Sequence, residues 1–240
     1  MKKKKLIYIV ILIILVFTGV TFWRANNKSD KIDSAVGSFN KKQYSVSKPS
    51  SLWVVVNKQK SLPSDYTPDS LRQPSVKVRS NGSTEMKLRD DAADALEKLV
   101  SGAKKDKLDL MLVSGYRSYG LQKAVYDRNV AEQGTAETDK TSARAGHSEH
   151  QTGLGADLGT INGMCELQTC FRETKEGKWL AKNAQNYGFI IRYPEGKQSV
   201  VGYSYEPWHI RFVGKGLSRE IYKNKTTMEE FFDLPAAPDY

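Results

Sequence analysis

The sequence predicts an α+β fold, a mainly antiparallel sheet flanked by helices, preceded by one N-terminal transmembrane helix. Three observations lead there. Segments with helical and strand periodicity are mixed without regular βαβ alternation. An apolar run near the start stands apart from everything after it. The chain beyond residue 50, about 190 residues, is one domain's worth and long enough to bury a core.

Residues 1–5 form a basic tail, Lys2 to Lys5, expected on the cytoplasmic side. Residues 6–23 are apolar and carry no charge, at the short end of what crosses the ~30 Å hydrocarbon core as a helix. Trp23 and Arg24 suit the far interface. A cleaved signal peptide competes with this uncleaved anchor, but the exit from Thr18 to Arg24 is bulky where a cleavage site wants small residues. Residues 24–50, rich in Asn, Lys, Ser and Asp, read as a flexible stalk. Residues 51–240 are the external domain.

Within it, Leu88 to Ala103 places Leu88, Ala92, Ala95, Leu96, Leu99 and Val100 on one helical face. Leu108 to Val113 reads as a buried strand that delivers the chain to Ser114-Gly115-Tyr116-Arg117-Ser118. Gln122 to Glu132 is helical, with Ala124, Val125 and Val130 inward, and the small, polar stretch from Gly134 to Gly146 reads as a loop. Leu154 to Leu158 is a short strand carrying Asp157 inward. Lys178 to Tyr187 is a helix closed by Gly188. Phe189 to Tyr193 and His209 to Val213 are strands, and Leu217 to Lys223 and Thr226 to Phe232 are terminal helices.

The formal net charge is +10, of which Lys2 to Lys5 and Arg24 hold five. The remaining modest excess suits an anionic polymer such as a cell wall. No nucleic-acid partner is expected, because the positives are dispersed and no such motif appears. Cys165 and Cys170 are the only cysteines. In an exported domain they are read as a disulfide pinning a loop, against unlinked thiols or a metal site.

The chain has three histidines. His150 lies in Ser148-Glu149-His150-Gln151-Thr152-Gly153-Leu154-Gly155-Ala156-Asp157, and His209 closes Glu206-Pro207-Trp208-His209. His150, Asp157 and His209 offer two imidazoles and a carboxylate, which leave a fourth tetrahedral position of a zinc ion open, as in catalytic sites. Glu206 is then placed to take a proton from water. Gly153 and Gly155 are expected to turn the chain between His150 and Asp157, and the strand of His209 to begin or bulge at Pro207. His147 is a ligand only if Asp157 is not, and is read as a pocket-rim residue.

Ser-x-His-x-x-Gly leading to Asp157, followed by Glu-Pro-Trp-His, resembles the zinc D-alanyl-D-alanine carboxypeptidases of the vancomycin-resistance type, and equally their relatives, the peptidoglycan L,D-carboxypeptidases. The Ser-Gly-Tyr-Arg-Ser segment and Arg192-Tyr193-Pro194 share in the resemblance, which covers roughly residues 60 to 230. Gly155 departs from it conservatively, since a small residue such as Ala usually stands there. The resemblance implies that His150, Asp157 and His209 bind Zn2+ and that Glu206 is the base. It makes Arg117 catalytic, a guanidinium that stabilises charge on the scissile carbonyl oxygen. It aligns Gln122, Ser148, Tyr193 and Trp208 with positions that line the substrate pocket.

The expected function is removal of the C-terminal D-alanine from peptidoglycan stem peptides by a domain held outside a bacterial cell membrane. The alternatives are an L,D-carboxypeptidase acting on tetrapeptide stems, a non-catalytic, zinc-containing wall-binding module, and an endopeptidase. Glu206 speaks against a binding module, which has no use for an acid beside the water.

Overall fold

The computed structural model describes residues 39–240, and the chain divides into the units Met1–Asn40 and Lys41–Tyr240. The fold is that of the second unit. The anchor expected at 6–23 and the tail at 1–5 lie outside the described residues. Among the described residues no helix is long and apolar enough to cross a membrane.

The first long helix, α1, spans Asp90–Lys105. Asp90 and Asp91 in its first turn and Lys104 and Lys105 in its last complement the helix dipole. Ala92, Leu96, Leu99 and Ala103 are fully buried, as the helical spacing predicts. Strand β1 follows at Leu110–Ser114, then α2 at Tyr119–Gln133 and α3 at Thr135–Thr141. Strand β2 is Gly155–Thr160, α4 is Lys175–Asn183, β3 is Phe189–Ile191 and α5 is Gln198–Val201. Strand β4, His209–Phe212, leads to α6, Lys215–Asn224, and α7, Met228–Phe231.

The four strands form one sheet in the order β1-β2-β4-β3, and every pairing is antiparallel. The expected class, an antiparallel sheet with helices around it, is the observed one. Leu110 and Leu112 of β1, Ala156 and Leu158 of β2 and Ile210 of β4 share a core cluster with Leu96 and Leu99 of α1. The pleat therefore turns Asp157 and His209 to the opposite face. Strand β1 would keep Ser114 on the core side, but its register with β2 shifts between Leu112 and Ser114, and Ser114 pairs with Asp157. This bulge re-aims Ser114 toward the site face.

Several expectations need correcting. The stretch 134–146 is not all loop, because α3 occupies its first half after Gly134 takes φ +82°. In α2 the inward face is not Ala124, Val125 and Val130: Ala124 is exposed, the two valines are half-buried, and Gln122 is the buried side chain. The helix borders a cleft rather than packing flat on the sheet. From Lys41 onward the segment read as stalk belongs to the compact unit, where the Tyr44 ring meets Trp53 edge-on at 4.9 Å. The predicted helix ending at Tyr187 tightens into a 3-10 turn over Ala184–Tyr187 before Gly188 closes it at φ +93°.

Candidate active site

Asp157 and His209 are directly paired across β2 and β4. Asp157 Oδ1 lies 2.9 Å from His209 Nδ1, and Oδ2 lies 3.3 Å from His150 Nε2. His150 arrives from a different element, a 3-10 turn over Glu149–Thr152 in which the His150 N–H donates to the Ser148 hydroxyl at 3.3 Å. Gly153 ends that turn in the left-handed region at φ +66°, where a side chain is strained. Gly155 is not a turn residue. It opens β2, and a Cβ there would lie 3.3 Å from the Glu149 backbone, so close approach is what keeps the position small.

The Ser-Gly-Tyr-Arg segment at the end of β1 meets the same turn. His150 Nδ1 lies 2.6 Å from the Gly115 carbonyl, and the Arg117 N–H donates to the His150 carbonyl at 3.2 Å. A carbonyl only accepts, so Nδ1 carries the proton and Nε2 faces Asp157 with its lone pair. One donor atom each from His150, Asp157 and His209 lie within 4.8 Å of one another, and all three residues are buried. Two imidazoles and a carboxylate at that spacing suit zinc.

Glu206 precedes a turn rather than a bulge. The His209 N–H reaches back to the Glu206 carbonyl at 3.3 Å with Pro207 between them, and β4 begins at His209. The Glu206 N–H is held by the Tyr193 carbonyl at 3.1 Å, and its Oε2 lies 4.0 Å from His209 Nδ1. Burial pushes the Glu206 carboxyl up to about 8, which His209 opposes and Asp157 reinforces. For Asp157 burial works against the charge, but His150 and His209 outweigh it and hold the carboxyl well below its ordinary range. Burial opposes the cation at His209, yet the Asp157 and Glu149 carboxylates beside it outweigh this and raise the imidazole to about 10.

These groups open into a cleft of about 920 Å³. Arg117, Gln122, Ser148, Tyr193 and Trp208 all line it, together with His150, Asp157, Glu206 and His209. Arg117 is held by the Gln122 carbonyl oxygen and the Ser114 hydroxyl, each at 2.9 Å. Its Nε is buried without a hydrogen-bond partner among the described residues. Gln122 is anchored in turn by donating to the Ala143 carbonyl at 2.6 Å. The Tyr193 ring stacks on His209 at 4.9 Å, and Trp208 also packs against the core.

Cys165 and Cys170 are joined in a disulfide. The loop it closes was expected only to be pinned, yet its residues Leu167, Gln168 and Thr169 line the cleft. His147 does not. Its Nδ1 lies 2.8 Å from the Asn57 carbonyl and its ring meets Tyr240 edge-on, away from the cluster. The sequence reading also passed over Glu149, a fully buried carboxylate beside His150. Its signal was Arg211, a charged residue inside a strand and two places from His209, which called for a buried anion.

Residues 85–215 match the family described as VanY, D-alanyl-D-alanine carboxypeptidase. The chain belongs to this family. The putative carboxypeptidase YodJ of Bacillus subtilis is 41% identical over 189 residues, covering 78% of this chain and 69% of that protein. The bifunctional D-Ala-D-Ala dipeptidase and D-Ala-D-Ala carboxypeptidase VanXYC of Enterococcus gallinarum is 39% identical over 151 residues, covering 62% of this chain and 79% of that one. Among solved structures, the LD-carboxypeptidase LdcB superposes with a TM-score of 0.73 at 42% identity, over 77% of this chain and 87% of the other. A vancomycin-resistance D,D-pentapeptidase VanY, solved with Zn(II), superposes with a TM-score of 0.64 at 31% identity, over 77% of this chain and 99% of the other. The chain is thus similar to proteins described as D,D-acting and as L,D-acting alike.

Proposed function

We propose that this VanY-family protein is a zinc carboxypeptidase that removes the C-terminal D-alanine from peptidoglycan stem peptides. The observation that carries the reading is the buried cluster of His150, Asp157 and His209, with Glu206 beside it and Arg117 on the same cleft wall. The zinc-containing VanY neighbour supports the choice of metal. His150, Asp157 and His209 would hold the Zn2+, which when bound would supply Lewis acidity and make the attacking water more acidic.

The chain's own groups do the rest. Glu206, whose carboxyl is made more basic by its buried setting, accepts a proton from the attacking water and delivers it to the departing D-alanine amine. Arg117, fixed by Gln122 and Ser114, offers its guanidinium to the negative charge that builds on the scissile carbonyl oxygen. Ser148, Gln122, Tyr193 and Trp208 form the walls against which the peptide stem is oriented. The apolar run at 6–23 would hold the domain at the outer face of a bacterial membrane, close to its substrate.

The bond cleaved is read first as D-Ala-D-Ala. A second reading, cleavage of the tetrapeptide's terminal D-alanine, is favoured by the 42% identity to the L,D-carboxypeptidase. The soluble domain, incubated with pentapeptide and tetrapeptide stems, decides between them by the masses of the products. Loss of one alanine from the pentapeptide alone supports the first reading, and from the tetrapeptide alone the second. No alanine released from either stem sinks the proposal.

A further inference from the structure

We propose that Glu149 is a positioning residue for the metal centre, its Oε2 accepting the Nε2 proton of His209 and so fixing Nδ1 as that ring's donor to the ion. This deepens the zinc reading above and rests on it.

Glu149 and His150 are neighbours in one 3-10 turn, yet they serve different histidines. His150 turns to the cluster, with its far nitrogen held by Gly115. Glu149 turns the other way, behind His209. Its Oε1 takes two guanidinium donors, Arg192 Nε at 2.7 Å and Arg211 Nη1 at 2.7 Å. Arg192 spends its other nitrogens on Glu229, at 2.9 and 2.6 Å, and Arg211 donates Nη2 to the carbonyls of Leu52 and Val54. The side chains of Glu149, Arg192, Arg211 and Glu229 are fully buried. Two carboxylates and two guanidiniums make the group neutral overall, which is how such charges tolerate burial.

Within this network two atoms remain unmatched. Glu149 Oε2 and His209 Nε2 are both buried and have no hydrogen-bond partner among the described residues. They face each other at 3.6 Å. A buried acceptor and a buried donor left unmade are costly, and a small shift joins them. The other side of the ring is committed, since Nδ1 faces Asp157 at 2.9 Å. A carboxylate behind a ligating imidazole fixes its tautomer and raises its basicity. The two arginines in turn lock the carboxylate's orientation, so the network ties the fold of β4 and α7 to one ring nitrogen.

The substitution Glu149→Gln isolates this role. Because two guanidinium donors require an acceptor at the Oε1 position, the amide oxygen must occupy it. The amide NH2 then replaces Oε2 and confronts Nε2–H with a second donor. The experiment measures 15N shifts of the histidine rings in the zinc-loaded protein, and zinc affinity by chelator competition, for wild type, Glu149→Gln and Glu229→Gln. In the wild type His209 should ligate through Nδ1 and carry a slowly exchanging Nε2 proton. Glu149→Gln should lower zinc affinity about 10- to 100-fold and lose that protected proton. Glu229→Gln, which disturbs the same ion pairs without touching His209, should keep both features even if its melting temperature falls.

Ligation of wild-type His209 through Nε2, or a freely exchanging Nε2 proton, overturns the proposal, and neither needs a variant that folds. Unchanged affinity and ring signals in Glu149→Gln overturn it too. A wild-type protein that takes up no zinc instead sinks the metal reading itself, an outcome told apart because here the ion binds and only the ring nitrogen is at issue.

Discussion

Asp157 and His209 stand opposite one another on the two central strands, His209 Nδ1 2.9 Å from Asp157 Oδ1, and His150 closes the cluster from a separate turn. Sheet register therefore sets two of the three candidate metal donors. A single histidine removed leaves an incomplete donor set with water in its place. His150→Ala and His209→Ala should each bring zinc well below one ion per chain in the purified protein. His147→Ala should retain it, because that ring is occupied with Asn57 and Tyr240. Metal analysis of the three variants checks this, and zinc loss from the His147 variant would count against the donor assignment.

Glu206 is beside the cluster and not part of it, its Oε2 4.0 Å from His209 Nδ1. Glu206→Gln should then keep zinc while hydrolysis falls by ~10²–10⁴-fold, the usual worth of general acid–base assistance. The pairing of full zinc content with lost turnover is the signature to look for. Near wild-type turnover would remove Glu206 from the mechanism.

Gly115 joins the two motifs. Its carbonyl lies 2.6 Å from His150 Nδ1, and a Cβ on it would come within 2.4 Å of the Lys87 carbonyl and 3.0 Å of the Glu85 carbonyl. Both neighbours are backbone and cannot swing aside. Gly115→Ala should cost about 1–3 kcal/mol of stability, as overpacking does, and should weaken zinc binding as the carbonyl moves. Thermal melts with and without zinc test both parts. A variant as stable as wild type would show that the chain yields there.

The strands and helices were legible because their periodicity is simple. That His150, Asp157, Glu206 and His209 gather at one cleft was legible because His, Asp and Glu in Gly- and Pro-broken segments have few structural uses. The bulge that re-aims Ser114 was not readable, since Leu112-Val113-Ser114 continues an ordinary strand pattern and only pairing with β2 reveals the shift. Nor was α3: Thr135 to Thr141 has no apolar face, and only Thr138 is buried in it. Glu149 escaped notice because it stands beside a metal-motif histidine, while its partners Arg192, Arg211 and Glu229 come from distant segments. Long-range charge pairing leaves no local period to read.

The disulfide loop is a wall of the cleft as well as a staple. Leu167 is 40% exposed and lines the cleft with Gln168 and Thr169. Opening the loop with Cys165→Ser leaves these residues to be ordered when substrate binds. Ordering the backbone of even one residue costs about 1–2 kcal/mol, so KM should rise about 5- to 30-fold. The kcat should hold, because no group at the reacting bond is touched. Steady-state kinetics on stem peptides separate the two constants, and a fall in kcat at unchanged KM would place the loop in the chemistry.

A carboxypeptidase must recognise a free terminal carboxylate, whereas an endopeptidase must let the chain continue past the cut. Beside Arg117, which is committed to the scissile carbonyl, the buried Gln122 and Ser148 line the same cleft. These polar groups suit a charged terminus more than a passing peptide. Amidating the terminal D-alanine should therefore slow hydrolysis sharply. A buried donor deprived of its charged partner costs about 1–3 kcal/mol, or roughly 5- to 150-fold in kcat/KM. Mass spectrometry of free-acid and amide stems under matched conditions measures the ratio. Equal cleavage would reject a carboxylate subsite and move the reading to an endopeptidase, since nothing in the cleft would then be selecting the end of the chain.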